Sequence, residues 1–489
     1  MAQVINVLES RQFPAIVFLI ALLARVTFVL FFPALPYNID AAEYVILGQN
    51  IADGNGFCYQ PGQATAYRLP LYPLFLALLF SLFGNDSYTA VAICECVIGA
   101  LAIVVLYYAA LHLIGRNRPA AIAALILAVY PPLIKLTNAF MTENLFTLLA
   151  VSSALVLLKA LSDPPSRAYT VLAGLVIGLS WLCRATLVVL VILLPLWALL
   201  ATGQRRGDQK TRLKRIAFIL GIALLCLAPW IVRNAITMKA FIPFDAHGGA
   251  TLWYQHNSLS QEGYFWSAVP KDKLAEIRMR IREQKRRLDS GESVKDVMLP
   301  TVLRGPMAGF EFLPREKVAK FEDLSEKEQD NAFWRDALRT ILSHPARYAK
   351  QTIKETIKFW HVFDDEGGFV ASYAFLLPFA VVGFLVFLAR RRWSETALFV
   401  SPIVCAWVLA ATINASHRFR LPVEPLAFAF IGVFYDRFSR LSSRLRAVII
   451  ISASVYAGVV FCFLLYPEAL RDLVQAITVR LGFSAYPVY

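Results

Sequence analysis

The sequence predicts an all-α polytopic membrane protein, and three observations carry that prediction. Of its 489 residues, 58% are hydrophobic and only 17% are charged, which is too apolar for one soluble core. Uninterrupted apolar runs of roughly 20 residues, the length that crosses a bilayer as a helix, recur along most of the chain. The Lys and Arg residues behind a net charge of +14 gather mainly in short loops between those runs, as the positive-inside bias requires. That clustering argues for a membrane and against nucleic acid as the partner of the basic charge. No alternating segments of ~10 residues, the mark of an outer-membrane barrel, interrupt the pattern.

Each element follows in order from the same reasoning. The basic loops 115–118, 203–215, 390–393 and 436–446 are assigned to the cytoplasmic side, together with the N-terminus. The first apolar run, 14–33, is longer than a signal-peptide core and lacks a small-residue cleavage site, so it is expected to stay as a helix. Further spans are expected at 87–113, 119–134, 141–160, 168–183, 186–201, 216–232, 370–389, 394–412, 421–435 and 447–465. That makes about eleven, with the C-terminal tail outside. Residues 1–232 then form an N-terminal membrane module, 233–369 an extracytoplasmic loop domain, and 370–489 the closing helices and tail.

Two outward-facing stretches exceed simple connectors. In the first, 35–86, the apolar run of "RLPLYPLFLALLFSLFG" is too short to span and is expected to lie in the interface. The second, 233–369, contains "KDKLAEIRMRIREQKRRLDS", a basic helical run with Leu274, Ile277, Ile281 and Leu288 on one side. It reads as a solvated or interfacial helix, or else as a surface that recruits an anionic acceptor.

Several chemistries are excluded by missing patterns. There is no G-x-x-x-x-G-K-[ST] phosphate loop, no zinc-ligand spacing, no G-x-S-x-G elbow and no haem motif. The seven cysteines are scattered, six of them in or beside apolar runs, and form neither a disulfide framework nor a metal cluster. The three acids of "DDEG" (364–367) lack further spaced ligands and make a weak metal site. No cofactor is expected, with a divalent cation as the disfavoured alternative.

What remains is a concentration of polar residues on one side. Asp40, Glu43, Arg68, Lys135, Glu143, Arg184, Arg233, His417, Arg418 and Arg420 all fall at or near outer helix ends. Arginines suit phosphate because the planar fork stays charged and binds in a bidentate way. Such a set, beside helices that admit a lipid tail, points to an anionic lipid-linked substrate. Each residue also has a plainer reading. Asp40, in "YNIDAAEYV", fits a helix N-cap with Glu43 as its reciprocal partner. Asp53 in "ADGNG" has turn composition. Glu143 sits where an acid stabilises a helix N-terminus. Arg68, beside Tyr67 and ahead of a proline-bounded run, suits either lipid headgroups or substrate, and His417 reads more simply as a loop or interfacial histidine. Arg25 and Glu95 fall inside spans, where ionisable groups need partners, and a structural pair between Arg25 and an acid such as Glu95 is expected.

At these residues the sequence resembles a family. "D-x-x-E-Y" (40–44), "R-L-P-L-Y-P-L-F-L-A-L-L" (68–79), "T-E-N-L-F-T-L-L" (142–149), "P-W-I-V-R-N" (229–234) and "H-R-F-R-L-P-V-E-P" (417–425) are similar to loops of GT-C fold glycosyltransferases. The likeness is to bacterial relatives of the protein O-mannosyltransferases and of the lipid A aminoarabinose transferase, and it covers most of the membrane region in order. It implies that a sugar passes, with inversion, from a polyprenyl-phosphate carrier to a glycan, lipid or protein acceptor on the outer face of a bacterial inner membrane. It also implies that Asp40 is the catalytic carboxylate, with Glu43 and Glu143 as further candidates. Many members carry adjacent Asp-Glu, whereas Glu43 lies three positions on, so its role stays open. Arg68, Tyr67, Lys135, Arg184, Arg233, His417, Arg418 and Arg420 are the substrate-binding candidates. A secondary transporter or flippase of a lipid-linked glycan is the rival class, although no internal repeat of the kind common in transporters is visible.

Overall fold

The structure is a computed structural model that describes residues 7–161, 166–201, 206–259, 265, 269–305, 310, 313, 315–321, 323–364, 368–389 and 392–466. Helices dominate these residues, and one small antiparallel pair, Cys58–Gln60 with Gln63–Ala64, is the only named sheet among them.

Seven helices are long and apolar enough to cross a membrane: Phe13–Phe31, Tyr88–Ile114, Thr142–Leu161, Gln209–Thr237, Ala371–Leu388, Trp393–Thr412 and Ser443–Leu465. Among the described residues a further pair, Asn117–Ala128 and Pro131–Asn138, is apolar enough to cross as one broken helix but turns by 53° at its break. Tyr130 caps the second half while Pro131 and Pro132 open it; Pro suits a helix start but removes the N–H that a continuous helix needs. The remaining expected spans differ in form. Arg167–Cys183 and Ala185–Leu200 are shorter apolar helices. The run 421–435 is broken into Leu421–Val423, Glu424–Phe428 and Phe430–Phe438, with prolines at its start. Leu71–Phe83 is a short apolar helix of 13 residues, about 20 Å long and too short to span upright.

Thr142–Leu161 is the most enclosed of the spans and packs against both Tyr88–Ile114 and Arg167–Cys183. Arg167–Cys183 in turn packs against Arg206–Thr237 through Gly174 and Gly178. A Cβ at either glycine would stand 2.6 Å from Ile222 Cβ or Cys226 Cβ, the small-xxx-small contact that lets helices approach closely in lipid. At the other extreme, Ser443–Leu465 has Val460 as its one buried residue, so it offers nearly all of its apolar surface outward.

The expected pairing of Arg25 with Glu95 does not form. Arg25 Nη1 donates to the Ala21 and Ala128 carbonyls, both at 3.0 Å. Glu95 accepts from Tyr72 Oη at 2.8 Å and Asn144 Nδ2 at 2.6 Å. Both groups find uncharged dipoles as partners at depth, although Arg25 Nε is buried without one among the described residues.

The long loop is organised around Trp253, whose ring meets Phe265, Phe310, Phe321 and Phe333 with centroids 4.9–5.6 Å apart. Glu326–Ser343, opened by a Ser325–Glu328 capping box, packs against Gly248–Gln255 and closes that cluster. The basic helix Lys271–Asp289 does not present one continuous apolar side. Ile277 packs toward the Trp253 cluster, Ile281 is exposed, and Leu288 is buried with Val294, Val297 and Met298 against the first loop. The side chain of Leu274 lies outside the described residues, as do residues 365–367 of the "DDEG" stretch.

Candidate functional site

The first loop builds the site from Ile39–Ala52. Asn38, not Asp40, caps this helix: its side chain accepts from Ala41 N at 2.8 Å. Asn is as good a cap as Asp, and taking that role two residues earlier leaves Asp40 in the first turn with its carboxylate free. Glu43 therefore makes no capping box with Asp40. Instead both acids meet one arginine. Arg68 Nη2 contacts Asp40 Oδ1 at 2.5 Å, and Arg68 Nε contacts Glu43 Oε2 at 2.5 Å.

Arg68 is delivered by a braced turn. Glu326 of the long loop accepts from Thr65 Oγ1 at 2.7 Å and from Ala66 N at 2.8 Å. From the other side Arg233 donates to the Thr65 carbonyl at 2.6 Å and to the Phe57 carbonyl at 3.1 Å, while its guanidinium lies over Phe57 and Trp230. Arg233 thus holds the chain that carries Arg68 and does not itself line the site.

The membrane helices contribute the second half. Phe140, buried with a φ of +51°, takes a left-handed conformation that is rare for a bulky residue. It turns the chain into Thr142–Leu161 and so places Glu143 in that helix's first turn. Glu143, 2% exposed, accepts from Arg184 Nη1 at 3.0 Å and from Arg418 Nε at 3.1 Å. Arg418 also reaches back, with Nη1 2.8 Å from Asp40 Oδ2. Arg184, at the end of Arg167–Cys183, lies over the Phe419 ring.

Three carboxylates and three guanidiniums thus form one chain: Glu43, Arg68, Asp40, Arg418, Glu143, Arg184. Asp40 and Arg418 are its most open members, at 34% and 41% side-chain exposure. Burial works to raise the Asp40 pKa, but Arg68 and Arg418 outweigh it and hold the carboxyl well below the usual range. Glu43 is pushed up to about 7, chiefly by burial, with Arg68 opposing and the Asp40 charge adding to the rise. The Arg418 guanidinium is shifted upward because Glu143 and Asp40 outweigh its own burial.

The chain borders a cavity of about 710 Å3, within the range of sites for small ligands. Asp40, Arg68, Arg184 and Arg418 line one side. Ala406, Leu409, Ala410 and Ile413 supply an apolar side, spaced at one face of the helix end. The long loop supplies Asp245, His247, Thr251, Tyr254 and Trp334.

The predicted residues therefore divide. Asp40, Glu43, Arg68, Glu143, Arg184 and Arg418 come together. Tyr67 is buried beneath Arg68, which lies over its ring. Arg420 turns away: it pairs with Glu424 at 2.7 Å and donates to the Phe359 and His361 carbonyls. Lys135 is exposed at the end of Pro131–Lys135, and His417 is buried; neither lines the cavity. Asp53 serves the turn, accepting from Asn85 Nδ2 at 2.7 Å. Sequence reasoning missed His247, Tyr254 and Trp334. The "HGG" of residues 247–249 was the one local signal, since paired glycines beside a polar aromatic residue mark a close approach of backbone.

Among the described residues, no group of three or more His, Cys, Asp or Glu side chains is placed to hold a metal ion. Each of the three clustered carboxylates is engaged by a guanidinium.

Residues 65–232 match the family model of the dolichyl-phosphate-mannose-protein mannosyltransferases. The matched stretch holds Arg68, Glu143 and Arg184, covers less than half of the chain, and leaves Asp40 and Arg418 outside. No curated protein matches the chain. Among solved structures, the Archaeoglobus fulgidus oligosaccharyltransferase, in a complex with Zn and sulfate, aligns at 16% identity with a TM-score of 0.49. The alignment covers 91% of this chain and 52% of that one, so the chain spans about half the length of that relative. ArnT from Cupriavidus metallidurans bound to undecaprenyl phosphate aligns at 15% identity and a TM-score of 0.39, over 88% of this chain and 79% of its own. The protein is an all-α, multi-pass membrane protein. The glycosyltransferase resemblance read from its motifs coincides with the family match across residues 65–232.

Proposed function

We propose that the protein is a membrane glycosyltransferase that moves a sugar from a polyprenyl-phosphate carrier to an acceptor hydroxyl, with inversion. The observation that carries this reading is the junction at Asp40. A partly open carboxylate stands between Arg68 and Arg418, beside Arg184 and an apolar wall, at the edge of one cavity. An anionic phosphate, a lipid tail and a reacting hydroxyl each find their chemical complement there. In this proposal the cavity faces the outside of a bacterial inner membrane and the N-terminus faces the cytoplasm. Residues 1–232 and 370–489 form the membrane module, and 233–369 the outer loop domain.

The chemistry follows from these groups. The acceptor oxygen attacks the anomeric carbon, the bond from that carbon to the phosphate oxygen breaks, and its electron pair stays on the phosphate. The hydroxyl proton passes to Asp40, help that is typically worth ~10²–10⁴ in rate. Phosphate leaves as a stable anion, so no general acid of the glycosidase kind is required. Fixed guanidiniums meet the charge that grows on it. Asp40 is a weak base while two arginines hold it, so the donor phosphate has a second effect. By competing for Arg418 and Arg68 it loosens their grip on Asp40 and raises its basicity when substrate is present.

The test is direct. Purified full-length protein is incubated with radiolabelled polyprenyl-phosphate hexoses and pentoses and with lipid, glycan and protein acceptors. Transfer by the wild type and its loss in Asp40→Asn, with carrier binding retained, supports the assignment. Substrate movement across liposomes without donor consumption sinks it in favour of a transporter.

A further inference from the structure

The cavity has a second wall outside the chain of paired acids and arginines. It is made by Asp245, His247, Thr251 and Tyr254, from one stretch of the long loop, and by Trp334 of Glu326–Ser343; Asp245 Oδ1 accepts from His247 N at 3.3 Å. Local sequence explains its rigidity. Gly249 lies flush on the neighbouring helix: a Cβ there would stand 2.2 Å from the Asp330 carbonyl oxygen and 2.6 Å from Trp334 Cδ1. Its N–H donates to Asp330 Oδ1 at 2.6 Å. The Tyr67 ring meets the His247 imidazole edge-on, with centroids 4.5 Å apart.

These contacts fix the His247 ring without satisfying it. Its Nδ1 is buried, so a molecule in the cavity meets the ring at its other edge. Burial and the Arg68 charge outweigh Asp40 and push the His247 pKa down to about 3. The ring is therefore neutral, with one nitrogen donating and one accepting. A hydroxyl, which both donates and accepts, matches either tautomer; a phosphate oxygen does not. Beside it, Trp334 and Tyr254 offer aromatic surface.

Resting on the glycosyltransferase reading above, we propose that this wall seats the sugar of the donor: the cavity-facing edge of the His247 imidazole bonds a ring hydroxyl, and Trp334 and Tyr254 flank its C–H faces. The two walls then divide the substrate, with carrier phosphate on the guanidiniums and sugar on the long loop. His247 is here a specificity-determining residue, not a proton carrier.

Binding measurements on full-length protein in nanodiscs separate this proposal from the function it rests on. The probes are bare polyprenyl phosphate and a panel of polyprenyl-phosphate hexoses and pentoses. Wild type should bind at least one glycosylated carrier tighter than the bare one. His247→Ala and Trp334→Ala should each weaken that carrier about tenfold and leave bare carrier unchanged. His247→Gln, whose amide falls near the Nε2 position and both donates and accepts, should recover more than His247→Asn. In turnover, the same variants should raise KM more than they lower kcat. Unaltered bare-carrier binding also shows that the variants are folded. Equal weakening of both probes, or no weakening of either, overturns the sugar wall and leaves the transferase reading standing. Failure of the wild type to bind any carrier overturns both.

Discussion

Arg418 Nη1 lies 2.8 Å from Asp40 Oδ2, joining residues that stand 378 positions apart in the chain. The same guanidinium holds Glu143 through Nε at 3.1 Å. One side chain thus ties the first loop to the helix Thr142–Leu161 and to the segment His417–Arg420. A planar fork with donors pointing in different directions is needed for this; an ammonium offers a single point of charge. The relationship makes the site a joint product of the two ends of the membrane region, with neither end sufficient alone.

Replacing Asp40 by Asn keeps the shape and the helix, because Asn38 does the capping. Transfer should fall by at least ~10²–10⁴, the worth of a general base. Two arginines lose an anionic partner, so bare polyprenyl phosphate should bind at least as tightly as to wild type. The apparent melting temperature should fall only modestly, because Asp40 is one third exposed. Radiolabel transfer and thermal unfolding in the same detergent check both halves, and normal turnover by this variant removes Asp40 from the mechanism.

Arg418→Lys retains a positive charge but cannot hold Asp40 and Glu143 together. Loss of a positioned charge donor costs ~10²–10³ in rate, and Lys should recover little of what Arg418→Ala loses. Steady-state kinetics on both variants measure this. Full activity in Arg418→Lys would show that charge alone suffices and that the bridge is incidental.

Much of this arrangement was legible in the sequence, and the misses have physical causes. Helix positions followed from apolar runs, since burial in lipid demands them. The count of straight spans did not, because "YPP" bends one helix and "RLPVEP" breaks another. The acids and arginines that cluster could be named, because charge at helix ends in a membrane protein needs a reason. Which arginines turned inward could not. Arg233 and Arg420 sit in motifs as distinctive as that of Arg418, but backbone carbonyls at Thr65, Phe57, Phe359 and His361 take them up. Those carbonyls belong to distant segments, and no local pattern announces them. Asp40 carried a capping signature that Asn38 fulfilled instead, two equivalent residues competing for one helix start.

On the proposed transferase reading, Glu43 should give donor binding a pH dependence. With all six groups of the chain ionised, its net charge is zero; a protonated Glu43 leaves one guanidinium charge in excess. Since its carboxyl is pushed up to about 7, a phosphodiester-linked donor, whose own charge is constant, should bind more tightly as pH falls from 8 to 6. Stability has the same sign. A folded-state pKa above the unfolded value of ~4.3 gives a contribution that is full below that value and lost as pH rises through 7. The Asp40 shift is downward, so its contribution is lost only below ~4 and does not enter this window. Asp245, on the same cavity and pushed up to about 6 by burial, titrates in the same window. Glu43→Gln should therefore reduce both slopes between pH 6 and 8, and the double variant with Asp245→Asn should flatten them. A steep binding profile that persists in the double variant would assign the titration to another group.

Arg420 and Arg418, two residues apart, should respond in opposite ways to the same substitution. Arg420 is 1% exposed and paired with Glu424, itself 2% exposed. Its guanidinium also lies over the Tyr373 ring and donates to two carbonyls. Removing it strands a buried carboxylate, a loss of ~3–5 kcal/mol. Arg420→Ala should therefore lower the apparent melting temperature sharply, while the fraction that remains folded binds polyprenyl phosphate with wild-type affinity. Arg418→Ala leaves the buried Glu143 its second partner, Arg184, so it should lower melting much less than Arg420→Ala while weakening carrier binding. Melting curves paired with binding on the monodisperse fraction distinguish the two. A carrier-binding defect in folded Arg420→Ala would return that residue to the site, against the geometry that points it at the Phe359 and His361 carbonyls.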